Sequence, residues 1–142
     1  MQRRTFLTLT AAVTLPGMIG ACTRATVPLA PEVPVSGLTN EEMGQCLSVA
    51  GRKRGWSVLP VDAHHAEATL IKGEHVAVLD ITYDATMFRL QASRKSSATL
   101  MREDGLVQRK FNRWINNFQT DTIRLMHDLK VKKMTADRPT SF

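Results

Sequence analysis

Val107, Phe111, Trp114, Ile115, Phe118, Leu125, Met126 and Leu129 recur at helical spacing and form one apolar stripe. Arg109, Arg113, Asn116, Asn117, Asp121, Arg124 and Asp128 fall on the opposite side. A stripe this wide is unstable in water, so a helix beginning near Leu106 must lie against another apolar surface. The sequence upstream offers one. From His75 to Tyr83, Ala77, Leu79, Ile81 and Tyr83 alternate with Val76, Val78, Asp80 and Thr82, the period of a strand. Met87 to Ala92 reads as a further strand, with Phe88 and Leu90 on one face. Ala66 to Lys72 is extended, and Trp56 to Val61 alternates until Pro60 makes it an edge or a strand end. Lys72-Gly73-Glu74 and Asp84-Ala85 are turns, and such short connections favour an antiparallel meander.

The first helix announces itself by its start. Thr39 and Glu42 have capping-box spacing, with Leu38 and Met43 placed for a hydrophobic staple. Met43, Cys46, Leu47 and Ala50 then follow the helical repeat, and Gly55 closes the helix in the left-handed conformation. The expected fold is α+β. A three- to four-stranded antiparallel meander carries an N-terminal helix and a long C-terminal helix packed on one face. This domain spans residues 38–130. Residues 131–142, with Lys132, Lys133, Arg138 and Pro139, read as a flexible basic tail.

The N-terminus has a different character. Gln2-Arg3-Arg4 is a short positive region, Phe6 to Ile19 is apolar, and Gly20 and Ala21 are small. That is the layout of a secretory signal over residues 1–21, too short for a permanent membrane span. Ile19-Gly20-Ala21-Cys22 resembles the lipobox of bacterial lipoproteins. The resemblance implies cleavage between Ala21 and Cys22 and a lipid anchor, including palmitate-type acyl chains, on the Cys22 thiol. Two or three acyl chains give stable attachment where one gives only marginal binding. Thr23 stands where an aspartate would favour the inner membrane, so the expected location is the outer membrane facing the periplasm. Arg3-Arg4-Thr5-Phe6-Leu7 also resembles the twin-arginine export motif, with general secretion as the alternative. Pro28, Pro31 and Pro34 recur every third residue within residues 22–37, the period of polyproline II. Such a tether reaches about 45 Å over some 15 residues; plain disorder is the other reading.

Removing Arg3 and Arg4 with the leader lowers the net charge from +6 to +4. A mildly basic exported domain suits anionic headgroups, an anionic envelope polymer or an envelope protein. It seldom meets nucleic acid, so none is expected as a partner. With Cys22 acylated, Cys46 has no partner for a disulfide and reads as a small buried hydrophobe.

Gly51-Arg52-Lys53-Arg54-Gly55-Trp56, Val78-Leu79-Asp80-Ile81-Thr82-Tyr83-Asp84 and Phe111-Asn112-Arg113-Trp114-Ile115-Asn116-Asn117 together resemble a group of small bacterial lipoproteins. The resemblance covers residues 38–129. It implies the fold above and a cell-envelope location, and it implies no activity. The segment from Ala92 to Leu100 departs from that group's pattern.

Candidate chemistry is sparse. Arg52, Arg109, Arg113 and Trp114 are the candidate ligand contacts, a basic set suited to phosphate or carboxylate beside a ring. Asp80, Asp84 and Asp104 lack an acid/base partner and read collectively as turn, cap and surface groups, and Trp56 and Trp114 as core. No nucleophile sits beside a base at telling spacing, so no catalytic residue, metal or cofactor is expected. The expected role is a non-catalytic binding or interaction module. The alternative is a metal-binding or enzymatic accessory protein using His64, His65 and His75.

Overall fold

A computed structural model describes residues 31–139. The leader, Cys22 and most of the tether lie outside the described residues. The elements are β1 (Val33–Pro34), α1 (Asn40–Lys53), β2 (Ser57–Pro60), β3 (His65–Lys72), β4 (His75–Tyr83), β5 (Met87–Ala92) and α2 (Arg109–Ala136). The fold is α+β. All five strands form one antiparallel sheet in the order β1-β5-β4-β3-β2.

The meander expected from β2 to β5 is present, but the strand count rises to five because the chain before α1 pairs with β5. Val33 lies opposite Phe88 and Pro34 opposite Met87. Val35 N–H extends the pairing to Thr86 C=O at 2.7 Å, and Arg89 Nη2 donates to Glu32 Oε1 at 2.6 Å. The proline-spaced segment is therefore tied to the domain from Glu32 onward.

Alternation sorts the sheet into two faces. Ala66, Ala68 and Leu70 of β3, Ala77, Leu79, Ile81 and Tyr83 of β4, and Phe88 and Leu90 of β5 are buried. They share one core with Met43, Cys46, Leu47 and Ala50 of α1 and Phe111, Ile115, Phe118 and Met126 of α2. Trp56 anchors the junction, stacked on Phe118 with ring centroids 5.7 Å apart. On the other face, Glu67, Thr69, Asp80, Thr82 and Gln91 meet solvent partly or fully.

Local chemistry fixes both ends of α1. Thr39 Oγ1 accepts from Glu42 N–H at 3.2 Å, and the Glu42 carboxylate accepts from Thr39 N–H at 3.1 Å. At the far end Gly55 takes φ +87°, Gly55 N–H reaches Arg52 C=O, and Trp56 N–H reaches Gly51 C=O. This is a Schellman termination, and the left-handed residue in it favours glycine. The second helix starts at Arg109, three residues later than the apolar stripe suggests. It runs on through Ala136, into the stretch expected as a tail.

The serine-rich loop does structural work. β5 ends at Ala92, opposite Leu79, while β4 extends back to His75. Ser96 Oγ accepts from Val78 N–H at 2.9 Å and donates to Val78 C=O at 3.1 Å. Ser97 Oγ accepts from Val76 N–H at 2.8 Å. Together with Ser93 and Ser97 N–H, these hydroxyls stand in for the missing strand partner and leave the buried β4 backbone satisfied.

Candidate functional site

A groove of about 650 Å³ lies between α1 and the β2 edge of the sheet. It falls within the range of small-molecule sites. Leu47, Val49, Val58, Pro60, Ala63 and Ala66 form apolar walls, and Tyr83 also lines the groove. Asn40, Glu41, Gln45, Ser48 and Arg52 supply polar groups.

Two glycines let α1 lie close to the sheet beside this groove. A Cβ at Gly44 would stand 3.1 Å from Tyr83 Oη. One at Gly51 would stand 2.5 Å from Val58 Cγ2 and 2.9 Å from Phe118 Cζ. Asn40 Nδ2 donates to Ala63 C=O at 2.8 Å and bridges α1 to the β2–β3 connection. Its Oδ1 is buried with no partner, which leaves an acceptor unmet at the groove. Arg52 folds back along α1, with Nη2 on Ser48 Oγ at 3.0 Å and Nε on Ser48 C=O at 3.4 Å.

Of the four candidate contacts named from sequence, Arg109, Arg113 and Trp114 do not line the groove. Arg52 lines the groove. Trp114 packs against Phe111 on α2 and borders a separate small hollow with Arg54, Leu70 and Asn117. Lys72 Nζ sits 5.2 Å from the centre of the Trp114 ring, a cation–π contact. Arg109 and Arg113 are exposed near the start of α2. Trp56 is core as expected, whereas Trp114 lies half-buried at the core edge.

Arg54, from the same basic run as Arg52, is engaged elsewhere. Its Nε donates to Asp121 Oδ2 at 2.6 Å, and Asp121 is only 3% exposed. That hydrogen bond holds the Asp121 carboxyl below the usual aspartate range. Cys46 is buried, and burial pushes its thiol upward, away from the reactive thiolate. Asp84 is a turn group, as expected, accepting from Thr86 N–H, Thr86 Oγ1 and Met87 N–H. Asp104 accepts from Leu106 N–H, and Asp80 is exposed.

The histidines lie at opposite ends of the β3–β4 hairpin. His65 stands at one end of β3, while His75 pairs with Lys72 at the other, seven residues or about 23 Å away. Each has its own partner. His64 Nδ1 lies 3.2 Å from Tyr83 C=O, and His65 Nδ1 lies 2.8 Å from the Asp62 carboxylate. His75 Nδ1 lies 2.9 Å from Thr99 Oγ1, and its Nε2 lies 2.6 Å from Lys110 Nζ. Among the described residues no group of three metal-binding side chains comes together. A shared metal on His64, His65 and His75 is thus ruled out by strand length.

Among the described residues no helix is long and apolar enough to cross a membrane. No family model, curated protein or solved structure matches the chain. Geometry defines the class: an α+β domain whose helices cover one face of a five-stranded antiparallel sheet, with a groove where the first helix meets the sheet edge.

Proposed function

We propose that this chain is a cell-envelope lipoprotein. It is cleaved before Cys22, held by acyl chains on that cysteine at the outer membrane, and faces the periplasm as a small non-catalytic binding module. The lipobox-like Ile19-Gly20-Ala21-Cys22, placed directly after an apolar leader, supports the anchor. The α1–β2 groove carries the binding role. Its walls take an apolar moiety, and Asn40, Gln45, Ser48 and Arg52 fix polar groups at the rim. Ser48 has Arg52 beside it rather than a base, so the chemistry offered is recognition rather than nucleophilic attack.

An anionic naphthalene fluorophore probes this site directly, since it combines an apolar ring with a charge suited to Arg52. Val49→Glu and Arg52→Glu change exposed side chains and leave the core intact. The wild-type protein should bind the probe, and each variant should bind it at least tenfold more weakly at unchanged circular dichroism. Equal binding by all three proteins would contradict the groove as the site.

A further inference from the structure

We infer that the end of the domain built from the β3–β4 hairpin, loop 93–108 and the first turns of α2 rests on an anionic bilayer. The inference builds on the proposed acylation of Cys22. Three observations carry it.

The first is charge. The hairpin contributes Lys72, the loop Arg94 and Arg102, and α2 Arg109, Lys110 and Arg113. The hairpin turn, the loop and the first turns of α2 hold the acids Glu74, Glu103 and Asp104, of which Asp104 pairs with Arg102 at 3.1 Å, while Glu67 and Asp80 lie opposite each other farther along the hairpin strands. Lys95 is drawn off this end to Glu67 at 2.7 Å. The opposite end is of mixed sign. There Glu41 and Glu42 open α1, Asp62 and Asp84 sit in turns, and Glu42 holds Lys133 of α2 at 3.0 Å.

The second is contact geometry, which gathers the three elements into one surface. Lys110 meets His75 of the hairpin, His75 meets Thr99 of the loop, and Lys72 covers Trp114 of α2. Arg94 Nη1 donates to Glu103 C=O at 2.9 Å across the base of the loop.

The third is chain direction. β1 is antiparallel to β5, so followed backward from Pro34 the backbone travels toward Ala92 and the basic end. Val33 lies opposite Phe88, itself opposite Tyr83; continuing that register two residues back would put Pro31 level with Ile81 on β4, six residues or about 20 Å short of His75. Nine residues separate Pro31 from Cys22, about 30 Å at full extension. That length exceeds the remaining distance of about 20 Å, so it is sufficient for the anchor to lie level with the basic end. Cationic side chains beside a negatively charged leaflet are each attracted to it within a Debye length.

The test uses the native acylated chain in a Cys46→Ala background, reconstituted in vesicles. A fluorophore is placed on Ala98→Cys at the basic end or on Ala85→Cys at the opposite end, both exposed positions. Vesicles are phosphatidylcholine alone or with 30% phosphatidylglycerol, each carrying a headgroup nitroxide quencher; this composition is set at roughly the anionic content that gives a substantial surface potential. Flotation is read first. In anionic vesicles the label at position 98 should be quenched at least threefold more than the label at 85. The difference should shrink in 0.5 M salt, about where screening falls toward a few ångströms, and in the Arg94→Glu/Arg109→Glu/Arg113→Glu variant. Protein that floats but shows equal quenching, or stronger quenching at 85, overturns this orientation alone. Protein that does not float overturns the anchor and the orientation together.

Discussion

Arg54 Nε donates to Asp121 Oδ2 at 2.6 Å, joining the end of α1 to the middle of α2 across 67 residues of sequence. The carboxylate is buried and the guanidinium half open to water. Removing the carboxylate leaves Arg54 free to hydrate, so the loss falls toward the low end for a buried pair. Asp121→Ala should destabilise by about 2 kcal/mol, read from urea midpoints at unchanged slope.

The same pair sets an acid limb. Its hydrogen bond with Arg54 is the leading cause that lowers Asp121, so the carboxylate form is favoured in the folded state. That stabilisation is fully present above the unfolded aspartate value, ~3.9, and is lost as pH falls through the lower folded value. Glu42, lowered chiefly by its hydrogen bond from Lys133, has the same sign. Wild-type stability should therefore decline below about pH 4, and Asp121→Asn should flatten that decline. Thermal melts across the acid range check both.

Gly51 sits where α1, β2 and α2 meet. Alanine there gains helix propensity, but its Cβ would stand 2.5 Å from Val58 and 2.9 Å from Phe118. The overlap outweighs the propensity gain of about 1 kcal/mol, because Phe118 is fully buried and cannot step aside. Gly51→Ala should lower Tm by several degrees, about 4–8 °C for each kcal/mol lost. It should also weaken probe binding, since Val58 is a groove wall.

Ser96 is buried and satisfies both backbone groups of Val78. Ser96→Ala strands a buried N–H and should cost about 1–3 kcal/mol. Amide exchange at Val78 should accelerate more than at Ile81, which lies opposite Leu90 within the paired part of the sheet.

The elements legible from sequence are those with local causes. The capping box, the alternation from His75 to Tyr83 and the Gly55 termination each act within a few residues. β1 is only two residues long and includes a proline, so nothing local marks it; Phe88, Thr86 and Arg89 create it from afar. The last turns of α2 look like a basic tail because Lys132 and Lys133 carry no apolar period. Yet Lys133 is held by Glu42 and Gly37 C=O, both more than 90 residues away. The serine loop reads as polar surface because a hydroxyl replacing a strand has no periodic signature. Arg52 and Trp114 resemble one site in a list of basic and aromatic residues. Arg52, however, turns back onto Ser48 at the groove, while Trp114 lies under Lys72. The groove itself was not legible, because its walls come from α1 and β2 and meet only once Gly44 and Gly51 let the helix settle.

The anchor at position 22 is the claim on which location and orientation depend. Intact-mass spectrometry of the protein extracted from its native membranes tests it most directly. The expected result is a chain beginning at Cys22 and carrying the added mass of two or three acyl chains, lost in Cys22→Ser. A chain that retains Met1 to Ala21, or begins at position 22 with an unmodified thiol, would contradict it.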